Sequence, residues 1–133
     1  MTYLDTNVII DLLDDASERF ERCLELFEEA KARGRVFLSD IVYSETSIGF
    51  DTQDALDEVI ANLGLSRSPI SDDGLFAAGR AFKKYKEETD GPKNNVLPDF
   101  FIGAQAKADN MPLITSDAKR MVGYFEGLEV LKP

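Results

Sequence analysis

Thr2-Tyr3-Leu4-Asp5-Thr6-Asn7 opens the chain, and Pro112-Leu113-Ile114-Thr115-Ser116-Asp117 stands near its other end. The two stretches share one design: a short apolar run closed by an aspartate and small polar residues. Runs of this length and composition suit strands buried on both faces, the condition of a parallel sheet. Parallel strands need helical crossovers, and the segments between the two stretches have helical periodicity. The expected fold is therefore α/β, with Asp5 and Asp117 at the carboxyl edge of the sheet, where such folds place their sites.

Working outward from Asp5, the chain turns into a short apolar helix, Val8 to Leu13, which Asp14 and Asp15 end. A second helix is expected from about Ala16 to Arg33, with Asp15 and Glu18 in capping-box spacing and Phe20, Cys23, Leu24 and Phe27 on one face. Gly34 stops it, Arg35 to Leu38 forms a strand, and Ser39 or Asp40 caps a helix to about Phe50. Asp51 to Gly64 is amphipathic through Leu56, Val59, Ile60 and Leu63. Ser66 to Ile70 is extended, and Ser71-Asp72-Asp73 begins a long helix that Asp90-Gly91-Pro92 stops. Pro98 fits the first turn of the next helix, starting at about Asp99. A helix from about Ala118 to Phe125 and a strand from Leu128 to Leu131 complete the series.

The 133 residues suffice for one domain with a real core, residues 1–133, and not for two. No apolar run is long enough to span a bilayer, and the start lacks a signal-peptide layout, so a cytoplasmic protein is expected. Cys23 is the sole cysteine and histidine is absent, which excludes disulfides, Cys/His zinc sites and histidine acid–base catalysis within one chain. The net charge of −10 opposes polyanion binding. Its distribution softens that objection, because residues 1–66 hold 15 acids and 5 bases while residues 67–133 hold 10 of each. Arg80, Lys83, Lys84, Lys86 and Lys93 form a basic stretch, of which Arg80, Lys84 and Lys93 are candidates for holding substrate phosphate. A solvated helix face explains such a run equally well.

Two further acids are expected at the same edge as Asp5 and Asp117. Glu45 follows Ile41 and Val42 and precedes Ile48 at helical spacing, an apolar face on which an ionised group loses hydration. Asp99 shares a face with Ile102, Gly103 and Ala106, small enough to let its helix approach the sheet. Capping and helix-dipole roles would also account for the three aspartates, and snorkelling for Glu45. Together, however, four converging carboxylates raise one another's pKa and destabilise the fold unless a cation lies among them. Oxygen ligands without histidine or thiolate favour Mg²⁺ or Mn²⁺, and the matching chemistry is phosphodiester hydrolysis. Thr6, Asn7, Thr115 and Ser116 flank the acids as candidate supporting groups, although turn chemistry also uses such residues.

Tyr3 to Ile10, Ser44-Glu45, Leu97 to Ala104 and Pro112 to Asp117 resemble the PIN domain family, most closely its VapC-type toxins. The resemblance covers essentially the whole chain. It implies a three-layer α/β/α sandwich whose central, mainly parallel sheet has strand order 3-2-1-4-5, with helices on both faces. It further implies that Asp5, Glu45, Asp99 and Asp117 bind Mg²⁺ or Mn²⁺ and cut RNA (tRNA, rRNA or mRNA). A homodimer and a cognate antitoxin, whose tail enters the groove, are also implied. Asp51 to Asn95 matches no motif of the family. Two other functions compete: a non-catalytic PIN-like module that binds RNA or protein, although such modules usually lack one of the acids, and an aspartyl-nucleophile phosphatase, which normally has a second aspartate where this chain has Asn7.

Overall fold

The computed structural model describes residues 1–89 and 97–133. Among them the strands are β1 (Thr2–Leu4), β2 (Val36–Ser39), β3 (Leu65–Ser68), β4 (Leu113–Ile114) and β5 (Val130–Leu131). The helices are α1 (Thr6–Leu12), α2 (Phe20–Arg33), α3 (Asp40–Ser47), α4 (Gln53–Asn62), α5 (Asp72–Glu88), α6 (Leu97–Ala108) and α7 (Ala118–Tyr124). The expected stop at Asp90-Gly91-Pro92 and the candidate Lys93 lie outside the described residues.

All five strands are parallel, in the order β3-β2-β1-β4-β5. Chain order reverses beside β1, whose neighbours are β2 and β4, so the crevice of the fold opens beyond the ends of β1 and β4. Every residue of β1 and β4 is buried, so helices cover both faces of the sheet. The core joins Leu4, Val36, Leu38, Leu113 and Ile114 of the sheet to Val8 and Ile9 of α1, Cys23 and Phe27 of α2, and Phe100 and Ile102 of α6.

Most helix starts follow from side-chain oxygens that satisfy the first free backbone amides. Asp5, Ser39, Thr52 and Ser71 cap α1, α3, α4 and α5 in this way. The second helix departs from expectation: α2 begins at Phe20 rather than Ala16, and its N-cap, Arg19, makes no side-chain capping bond among the described residues. Asp11 explains the delay. Its buried carboxylate accepts from Ser17 Oγ and Arg19 Nε, each at 2.8 Å, while Asp14 Oδ1 accepts from Ala16 N at 3.0 Å. These bonds hold residues 16–19 in turns, so the Asp15/Glu18 capping box does not form. Burial pushes the Asp11 carboxyl up, but the Arg19 and Ser17 bonds outweigh it and leave it below its ordinary value.

Two features fix α6. Gln105 Nε2 donates to Tyr3 Oη at 3.0 Å and to the carbonyls of Ser68 and Pro69, while Tyr3 Oη donates to Asp109 at 2.5 Å. Burial and the Asp109 bond push the Tyr3 hydroxyl up to about 12. On its other side, α6 meets α7 at Gly103, where a Cβ would fall 2.6 Å from Phe125 Cδ2 and 2.8 Å from Met121 Sδ. Only a residue without a side chain allows this approach, and Asp99 lies one turn earlier on the same helix. Gly103→Ala should therefore destabilise the protein by roughly 1–3 kcal/mol through overpacking. Urea unfolding checks this, and an unchanged midpoint would show that α7 can retreat without loss.

Candidate active site

Asp5 leaves β1 in an extended conformation and its Oδ1 accepts from Thr6 N at 2.7 Å, so the capping that starts α1 also aims the carboxylate. Its Oδ2 accepts from Thr115 Oγ1 at 2.6 Å and from Asn7 Nδ2 at 3.2 Å. Thr115 is fully buried just past β4, and it also accepts from Asp117 N at 3.0 Å. Asn7 Oδ1 in turn accepts from Ser116 N at 3.1 Å. Thr115 and Asn7 thus tie the end of β1 to the end of β4. The Ser116 hydroxyl is buried with no partner among the described residues.

Glu45, on α3, is half-buried, and its Oε1 accepts from Thr6 Oγ1 at 2.7 Å. The apolar face expected around it forms only in part. Val42 is buried and Ile41 is partly so, but Ile48, the C-cap of α3, is 87% exposed. Asp99 and Asp117 meet across the α6–α7 contact. Arg120 Nη1 donates to Asp99 Oδ2 at 2.6 Å and lies 3.4 Å from Asp117 Oδ2.

The four acids also meet electrostatically. Burial raises the Asp5 carboxyl above its ordinary value and the charge of Glu45 adds to this, against the bonds from Thr115, Thr6 and Asn7. Asp99 is raised by burial first and then by the charge of Asp5, with Arg120 opposing and Asp117 adding. Charge repulsion therefore runs from Glu45 through Asp5 and Asp99 to Asp117. As the side chains stand, no group of three or more carboxylates or thiols among the described residues is placed to hold a metal ion. Thr6 holds Glu45, while Arg120 holds Asp99 and Asp117.

The basic stretch behaves differently. Lys83 and Lys84 lie 4.0 Å from Glu87 and Glu88, one turn on, and the Arg80 guanidinium sits over the Phe76 ring at 4.9 Å. Lys84 also lies 5.6 Å from the Tyr124 ring, at the border of the cleft beside Asp117. A solvated helix face accounts for most of this run. Sequence reasoning missed Arg120, whose signal was its spacing three residues after Asp117 on one helix.

The sequence profile of the PIN domain family matches residues 2–121. The chain belongs to the PIN domain family. No curated protein matches it in sequence. Its fold is similar to that of several solved structures. VapBC-1 from nontypeable Haemophilus influenzae has a TM-score of 0.72 at 21% identity, covering 99% of this chain and 98% of that one. VapBC2 from Rickettsia felis, bound to a promoter DNA fragment, has 0.71 at 20%, covering 99% and 98%. The Mycobacterium tuberculosis toxin VapC20, described as cleaving the sarcin-ricin loop, has 0.62 at 14%, covering 97% and 99%. The five-stranded parallel order seen here is the one expected of a PIN domain.

The raised Asp5 carboxyl gives this PIN domain a pH signature. A carboxyl that ionises at higher pH when folded than when unfolded lends stability at low pH, which is lost as pH rises from the unfolded value, about 3.9, through the folded one. Asp5→Asn removes that titration. In EDTA, the unfolding free energy of the variant relative to wild type should rise with pH across that window. A difference that stays flat from pH 3.5 to 7 would refute the electrostatic reading.

Proposed function

We propose that this PIN domain is a metal-dependent endoribonuclease that hydrolyses RNA phosphodiester bonds, and that it is the toxin of a type II toxin–antitoxin pair. One observation carries the reading. Asp5, at the end of β1 beside the switch point of a parallel sheet, is kept 3% exposed among oxygen-bearing neighbours; burial and the charge of Glu45 raise its carboxyl, as burial and the charges of Asp5 and Asp117 raise that of Asp99. Folding alone has no use for such a cluster.

The residues fit Mg²⁺ or Mn²⁺. Every candidate donor is a hard oxygen, histidine is absent from the chain, and a positive group, the Arg120 guanidinium, already rests on two of the acids. Asp5, Glu45, Asp99 and Asp117 would hold the ion. When bound, it would supply the charge that makes water a stronger nucleophile and offsets charge building on the phosphate.

The chain's own groups do the positioning. Thr115, Asn7 and the Thr6 amide fix both oxygens of Asp5, and Thr6 Oγ1 orients Glu45. Each is a neutral donor, so it orients a carboxylate without cancelling the negative charge that attracts the cation. Lys119, which lines the cleft beside Asp117, and Lys84, 5.6 Å from the Tyr124 ring of the same cleft, are basic residues within reach of a substrate phosphate there.

The toxin assignment draws on the VapBC complexes that this fold resembles and on an apolar recess beside the acids. The recess, about 650 Å³, is lined by Thr6, Ile10, Leu13, Glu45, Ile48 and Phe50, and its apolar side chains include the exposed Ile10, Leu13 and Ile48. An antitoxin segment with apolar side chains and a basic group fits a recess whose wall includes Glu45. A homodimer belongs to the same reading, with Leu75 and Phe76 of α5 offering exposed apolar surface. No helix among the described residues is long and apolar enough to cross a membrane.

The test is cleavage of single-stranded and structured RNA with Mg²⁺, Mn²⁺ or EDTA. Cleavage should require the ion and fall on the order of a hundredfold or more in Asp5→Asn. Thr115→Val should weaken metal affinity roughly ten- to a hundredfold while leaving all four acids in place. Cleavage that is indifferent to EDTA and to Asp5→Asn, or absent altogether, would leave the non-catalytic binding module as the better account.

A further inference from the structure

Arg120 is a cation set between two of the candidate carboxylates. A single nitrogen, Nη1, donates to Asp99 Oδ2 at 2.6 Å and stands 3.4 Å from Asp117 Oδ2. These are two of the four groups that would hold the ion. The guanidinium takes up part of the acceptor capacity of both carboxylates, and its positive charge at this distance opposes a divalent cation on the same groups.

We propose that Arg120 is a positioning residue that serves as the built-in counter-cation of the metal-free site, and that its guanidinium competes with the metal ion for Asp99 and Asp117 and moves off them as the ion binds. The inference rests on the metal-dependent reading above and adds an internal competitor to it.

Three observations support the exchange. Asp117 is the N-cap of α7, yet among the described residues its side chain makes no capping bond. Aspartate usually caps a helix by bonding the free amides of the first turn; here its carboxylate faces Arg120, one turn on. Arg120 also has somewhere to go. An open cleft of about 430 Å³, lined by Glu88, Asp117, Lys119, Arg120, Gly123 and Tyr124, adjoins it. Glu88 offers a second carboxylate there and Tyr124 an aromatic face. Nothing among the described residues lies within 4 Å of the space that a Cβ on Gly123 would fill. Finally, the Arg120 side chain is 32% exposed, so it can leave without entering the core.

By linkage, whatever Arg120 gains from the acids is subtracted from apparent metal affinity. Isothermal titration of the full chain with MnCl₂ reads this directly, in wild type, Arg120→Gln, Arg120→Lys and Asp5→Asn. Arg120→Gln should bind Mn²⁺ roughly fivefold tighter or more, and its metal-free form should melt below wild type and gain more from the ion. Arg120→Lys, which restores a cation, should return affinity toward wild type. Equal or weaker Mn²⁺ binding by folded Arg120→Gln would overturn the proposal while leaving the metal reading intact, provided wild type binds and Asp5→Asn does not. Absence of Mn²⁺ binding in every protein would remove both. A measurement without substitution guards against a misfolded variant: the Arg120 side-chain ¹H–¹⁵N resonance of wild type, followed during Mg²⁺ titration, should move and saturate with the ion. A resonance that stays in place as Mg²⁺ saturates the protein would equally overturn the exchange.

Discussion

Like charge held at close quarters is the constraint on which this structure turns. Asp5 is almost fully buried, Glu45 and Asp99 stand near enough to feel or impose charge, and Asp117 completes the row. An arrangement of this kind survives folding only where each carboxylate has donors at fixed positions. Those donors come from the turns that end the strands. Thr6 N and Thr6 Oγ1 serve Asp5 and Glu45, Asn7 and Thr115 serve Asp5, and Arg120 serves the remaining pair. The residues that start α1 and leave β4 are therefore also the scaffold of the site.

Packing far from the carboxylates sets their spacing. α6 carries Asp99, and its place is decided by contacts on opposite sides. Gln105 and Tyr3 tie it to the sheet and to the chain just after β3, while Gly103 lets it close on Met121 and Phe125. The rings of Phe82, Tyr85, Phe100, Tyr124 and Phe125 interlock where α5, α6 and α7 converge, with neighbouring centroids 5.0–6.5 Å apart. Offset and edge-on ring contacts favour particular relative orientations. They hold the helix bearing Asp99 against the helix whose N-cap is Asp117. Bringing two acids together in this way leaves a charge to balance, and the same α7 provides Arg120.

Legibility in the sequence followed the locality of the cause. The capped helices α3 and α5 could be placed from Ser39 and Ser71 or their neighbours, because a cap acts within three residues, and α4 from its apolar face through Leu56. Apolar runs ending in Asp5 and Asp117 revealed two buried strands. The start of α2 was misplaced because Asp11, several residues upstream, draws in Ser17 and Arg19 and overrides a local capping pattern. Ile48 was assigned to the apolar face of Glu45 by helical period, which gives direction but not cover, and at the end of α3 it is left exposed. Arg80 and Lys84 shared a charged run, yet one turns onto Phe76 and the other toward Glu88 and Tyr124. Composition carries no information on that difference.

Apolar periodicity, caps and strand-closing acids are properties of neighbouring residues, so the chain itself determined its α/β class and most of its elements, and it singled out four acids as candidates. Strand order was supplied by family resemblance rather than by any spacing in the chain. Tertiary structure decided what those acids meet: Thr115 reaching Asp5 across 110 positions, Thr6 reaching Glu45 across 39, and one guanidinium between Asp99 and Asp117. Such contacts depend on how closely two helices and two strand ends approach, which is set by volumes packed elsewhere in the core, at Gly103 and the rings around it.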